Sequence, residues 1–128
     1  MIKRKKTTER RRYPRIKQAL PIKIVANGYD FTTSTQNISC VGAYCCLDKY
    51  IPPFTKIAAK VILPITNAKR IENVEVECTG VIVRTEDKEN GGFNIAIFFN
   101  KITPGQRKKI SQYVNQFLPK ESCGHKRL

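Results

Sequence analysis

The sequence is poor in the residues from which most enzymes and metal sites are built. It has one histidine, His125 near the C-terminus, and its five cysteines include no CxxC pair. A zinc centre of the usual ligand spacing is thereby excluded. Cys40, Cys45, Cys46, Cys78 and Cys123 are odd in number and contain an adjacent pair in place of even spacing. That argues against a disulfide framework and fits a reducing compartment, with cysteines serving as small core residues. No run of about 18 apolar residues occurs, and the basic start leads into polar residues, not an apolar signal segment. A cytoplasmic protein without a membrane span is expected. Acids are few, 10 against 24 lysines and arginines. Glu75 and Glu77 alternate with Val74, Val76 and Cys78, which sets them on an outer strand face and not in the paired arrangement that acid–base catalysis needs. Glycine-rich phosphate loops, HExxH and serine-elbow motifs are absent. The expectation is a protein that binds and does not catalyse.

What is present is enough for one core. The 128 residues are 41% apolar and 27% charged, near the globular average. The net charge of +14 is unevenly placed: residues 1–17 hold nine cations against Glu9 alone, a net +8. Such an arm attracts phosphate in nucleic acid, nucleotide or anionic lipid, without distinguishing among them.

From Leu20 onward the apolar residues recur with period two between turn signals, the pattern of strands. Leu20, Ile22 and Ile24 open the first, and Asn27-Gly28 is suited to a type I′ hairpin turn. A returning strand over residues 29–38 carries Thr32, Thr33 and Thr35, β-branched residues suited to a half-exposed surface. Further strands are expected over residues 41–47, 57–65 and 74–85, the last bulged at Gly80, where the apolar set changes parity to Val81 and Val83. Asn90-Gly91-Gly92 then turns the chain into Phe93, Ile95, Ile97 and Phe99. Finally Ile110, Tyr113, Val114, Phe117 and Leu118 mark an amphipathic helix, capped by Thr103 with Pro104 at its first position and Gln106 completing a capping box. Six hairpin-linked strands and one helix predict a mainly β chain closed into an antiparallel six-stranded barrel, since closure removes exposed edges.

Two stretches could carry chemistry. Arg11-Arg12-Tyr13-Pro14-Arg15 precedes the first strand, and Pro14 keeps Tyr13 out of a helix, so Arg11 and Arg15 belong to an extended arm. A guanidinium offers a planar donor fork to phosphate or to guanine O6/N7 and stacks on a purine. In the second stretch, residues 37–42, the Asn37 amide can accept from guanine, Ser39 adds a hydroxyl and Gly42 permits a close backbone approach. Taken singly, the first reads equally well as a solvated tail and the second as an ordinary strand end with a bulge.

Together, RxxxR on Arg11 and Arg15 and [D/N]xSxxG on Asn37, Ser39 and Gly42 resemble the PilZ family. Glu9-Arg10-Arg11, the Leu20-Pro21 pair, the late strand at residues 92–99 and the closing helix extend the similarity over about residues 9–118. The resemblance implies a split-barrel receptor for cyclic di-GMP, without cofactor or metal. In it the arginines grip guanine edges and phosphates while Asn37 and Ser39 read guanine from the barrel. Asn37 stands where Asp is common in the family, at the cost of a carboxylate's charge. Arg10 ahead of the motif implies a stacked pair of ligands per chain. Residues 1–8 and 119–128 are expected to be flexible tails, and ligand binding is expected to order the arm and alter the surface offered to an effector protein. The competing expectation is a basic OB-like or cold-shock-like nucleic-acid barrel. Against nucleic acid, the strand bearing Phe93, Phe98 and Phe99 has no Lys or Arg among them.

Overall fold

A computed structural model describes residues 13–118. The expected tails 1–8 and 119–128, with Arg10 and Arg11, lie outside the described residues. Six strands run β1 Pro21–Ala26, β2 Tyr29–Ser39, β3 Gly42–Leu47, β4 Lys56–Asn67, β5 Arg70–Asp87 and β6 Phe93–Lys101, followed by helix α1, Pro104–Asn115. They pair antiparallel in the ring β1-β2-β3-β6-β5-β4, which closes because β1 bonds both β2 and β4. The expected closed barrel is the fold observed.

Alternation explains the wall. Ile22, Ile24, Val61, Leu63, Val76, Ile82, Ile95, Ile97 and Phe99 are buried, while their strand neighbours face outward. Ile110, Tyr113 and Val114 bury one stripe of α1, which packs against β2, β4 and β5. Asn27 and Gly28 both take positive φ, 53° and 82°, as a type I′ turn requires.

Five details depart from the sequence reading. The segment 48–55 links β3 to β4 across the barrel, because β3 pairs with β2 and β6. The fifth strand starts earlier than residue 74, since a hairpin through Ala68, at φ 58°, pairs Asn67 with Arg70. Residues 70–73 are exposed on both faces, so no alternation reveals them. The register against β6 does shift around Gly80. The inward face nevertheless keeps its parity through Gly80, with Val76, Gly80 and Ile82 pointing in and Val83 47% exposed. It changes only at a second shift between Ile82 and Arg84, which turns Arg84 outward beside Ala96. Thr35 is buried, where half-exposure was expected; its hydroxyl donates to the Gln18 carbonyl and accepts from the Leu20 N–H, fixing the approach to β1. At the helix start Thr103 Oγ1 accepts from the Gln106 N–H at 3.1 Å, but Gln106 Oε1 is buried without a hydrogen-bond partner. Only that half of the capping box forms.

Candidate functional site

The arm reaches the barrel through Ile16. Its side chain is buried, and its backbone exchanges two 3.0 Å hydrogen bonds with Ile38 near the end of β2. Inward burial of Ile16 and Ile38 turns their neighbours Arg15 and Asn37 to the outer face. There Arg15 Nη1 donates to Asn37 Oδ1 at 3.3 Å. Two residues 22 positions apart, one from each motif, thus meet. Beside them Tyr13 packs against the core, with the Arg107 guanidinium of α1 over its ring at 5.9 Å from the centroid.

Asn37 faces outward because β2 is bulged. Thr35 pairs with Cys45 and Asn37 with Tyr44, so Gln36 is an extra residue on β2. Thr35 and Ile38 both point inward, which strict alternation forbids, and the inserted residue brings Asn37 out between them. The one sequence trace of this bulge is that Phe31 and Ile38, both packed in or against the core, stand on opposite parity.

The remaining motif residues shape the hairpin. Ser39 is fully buried and its Oγ accepts from the Val41 N–H at 3.2 Å. Gly42 pairs with Phe98 on β6, and a Cβ there would run into the Ile97 carbonyl oxygen. β3 can lie this close to β6 only with glycine at that position.

The outer face continues beyond Asn37. Asn37, Tyr44, Ala96 and Arg84 are successive register partners across β2, β3, β6 and β5. The Tyr44 hydroxyl donates to Glu86 Oε1 at 3.0 Å, Arg84 Nε pairs with Glu86 Oε2 at 3.3 Å, and the Arg84 guanidinium lies 5.9 Å from the Tyr44 ring centre. Burial raises the Tyr44 pKa, the bond to Glu86 and its charge raise it further, and Arg84 opposes them. Pattern reading passed over all three residues, which carry no motif spacing. In the next row Gln36 donates to Cys46, whose Sγ donates to Asn94 Oδ1 at 3.0 Å.

A groove of about 480 Å³ lies on the β1-β4-β5 side, between Lys23, Lys60 and Lys101. Its Lys23 and Lys60 already pair with Asp30, Glu75 and Glu77. Among the described residues no cluster of three or more His, Cys, Asp or Glu could hold a metal ion, and no helix is long and apolar enough to cross a membrane.

The PilZ domain model matches residues 9–116 of this chain. The chain belongs to the PilZ family. As a PilZ chain it is similar to the solved Bacillus subtilis inhibitor of motility, MotI/DgrA, with a TM-score of 0.73 and 18% identity. That alignment covers 98% of this chain but 55% of the inhibitor, so the chain spans about half of that protein. It is also similar to the PilZ domain of YcgR from Escherichia coli, solved with c-di-GMP, at a TM-score of 0.56 and 13% identity, covering 83% of this chain and 90% of the other. No curated protein matches the chain. At these identities the two structures establish a shared PilZ fold, the fold in which the YcgR domain holds its ligand.

Proposed function

We propose that this PilZ chain is a non-catalytic receptor for cyclic di-GMP, with Arg10, Arg11, Arg15 and Asn37 meeting the ligand. Buried Ser39 and Gly42 shape the hairpin that carries Asn37, in place of the expected contact of Ser39 with guanine. The observation that carries this reading is the Arg15–Asn37 hydrogen bond, which joins the arm to the second motif on one open face. An Arg fork and an amide acceptor side by side suit guanine, which offers acceptors at O6 and N7 and donors at N1 and N2. In this reading the ligand draws Arg10 and Arg11 to the face where Arg15 already sits. Arg10 stacks on an outer guanine of an intercalated ligand pair, offsetting the charge brought together there. Partial neutralisation of the arm's +8 then changes the surface presented to an effector protein in the cytoplasm.

Calorimetric titration with cyclic di-GMP tests the assignment, with GMP and a single-stranded oligonucleotide as controls. Saturation by cyclic di-GMP at two ligands per chain supports the full reading. Saturation at one, unchanged in Arg10→Leu, removes the paired ligand and leaves the receptor. Tight oligonucleotide binding near physiological salt, with no response to cyclic di-GMP, would instead identify a nucleic-acid barrel.

A further inference from the structure

The Arg15–Asn37 pair occupies one edge of a face that continues across three more strands. At the usual strand spacing, Asn37 and Arg84 are about 14 Å apart along their shared row. The residues between are Tyr44 and Ala96. The Tyr44 hydroxyl reaches Glu86 on β5, two strands from its own, so the ring lies across the outer surface of β6. Small Ala96 leaves room for it. The result is a half-buried aromatic platform directly beside Asn37.

The charged pair at its far end is only partly used. Glu86 spends one oxygen on the Tyr44 hydroxyl and the other on Arg84 Nε. A carboxylate has about four acceptor positions, so two remain. The Arg84 guanidinium lies over the Tyr44 ring and meets Glu86 at Nε, and the Glu86 and Arg84 side chains are 50% and 59% exposed. An aromatic plane, a planar donor fork and a carboxylate acceptor are the three chemistries that together recognise guanine: stacking, O6/N7, and the N1 and N2 donors.

We propose that Tyr44, Arg84 and Glu86 form a second guanine-binding element, contiguous with Asn37, that takes a base of the ligand held at Arg15; this rests on the cyclic di-GMP reading. Tyr44 stacks on the base, the Arg84 fork meets its O6/N7 edge or the adjoining phosphate, and Glu86 accepts from its N1 and N2 donors. Glu86 thereby sets the preference for guanine over adenine, which has no donor at N1.

The test is titration of the full chain with cyclic di-GMP and, separately, cyclic di-AMP, with thermal unfolding as the control. Arg84→Ala and Tyr44→Leu each weaken cyclic di-GMP binding about 5-fold or more. Tyr44→Phe keeps the plane, loses only the hydroxyl and binds within about 2-fold of the parent. Glu86→Gln narrows the ratio of cyclic di-GMP to cyclic di-AMP affinity about 5-fold or more, a change that mere packing would not produce. If Tyr44→Leu lowers the unfolding midpoint, the exposed Arg84→Ala decides. A parent that binds cyclic di-GMP and is weakened by Arg15→Ala, but not by Arg84→Ala, overturns this element and leaves the receptor standing. A parent that does not bind cyclic di-GMP overturns both.

Discussion

Arg15 Nη1 lies 3.3 Å from Asn37 Oδ1, an exposed hydrogen bond between side chains 22 residues apart. Being exposed and made to a neutral amide, it is worth at most about 1 kcal/mol. Arg15 is therefore placed without being locked, and a ligand oxygen can replace the amide. Arg15→Ala is expected to weaken cyclic di-GMP binding by about 1–3 kcal/mol and to leave thermal stability nearly unchanged. Calorimetry and a melting curve on the same sample check both, and unaltered affinity would put the site elsewhere.

Ile16 anchors the arm. Truncation to Ala removes a buried side chain at the Ile38 bridge and is expected to cost about 2–4 kcal/mol. The peptide bond after Arg15 leads directly into that bridge, so trypsin should cut there slowly in the ligand-free parent and faster in Ile16→Ala. Timed digestion followed by mass spectrometry reads the difference. Rapid cleavage after Arg15 in the parent would contradict the docked geometry.

Gly42→Val should act on the fold. Its Cβ would meet the Ile97 carbonyl oxygen, forcing β3 from β6 at a cost of about 3 kcal/mol. Ser39→Ala removes the acceptor for the Val41 N–H and should cost about 1 kcal/mol. Denaturant unfolding ranks the two. Equal stability of Gly42→Val and parent would refute the close strand approach.

Burial gives the barrel an alkaline limit. The Cys45 thiol, fully buried, is pushed from 9.0 up to about 12 by desolvation and then by Cys46, and Cys78 is pushed to about 11 by burial. Between pH 9 and these values the unfolded chain gives up protons that the folded chain keeps. Stability is therefore fully present below about pH 9 and falls above it, by about 1.4 kcal/mol per pH unit for Cys45. In Cys45→Ala that slope should be shallower over pH 9–11. Denaturant midpoints at each pH measure it, and identical slopes would remove the assignment.

The six strands and the helix were legible because each buries one face, and burial of one face writes period two or 3.6 into the residues. Asn27-Gly28 and Asn90-Gly91-Gly92 announced their turns for a similarly local reason. The hairpin at Ala68 did not, since an alanine with φ 58° bears no turn signature. The exposed start of β5 did not either, because with neither face buried there was no pattern to read. The motif residues were recognisable as residue types at a spacing, whereas Tyr44, Arg84 and Glu86 come from β3 and β5 and become neighbours only through β6.

The sequence by itself determined a closed β barrel with a capping helix and placed a basic arm ahead of an Asn-Ser-Gly stretch. Alternation, turn residues and charge are properties of neighbouring positions, so the chain displays them unfolded. Which way Asn37 faces was decided by the tertiary structure alone. The bulge at Gln36 exists only relative to the register of β2 on β3, which long-range hydrogen bonding sets. One inserted residue turns a side chain from the core to the surface. The docking of Arg15 against it likewise depends on Ile16 finding Ile38, a contact that local sequence does not encode.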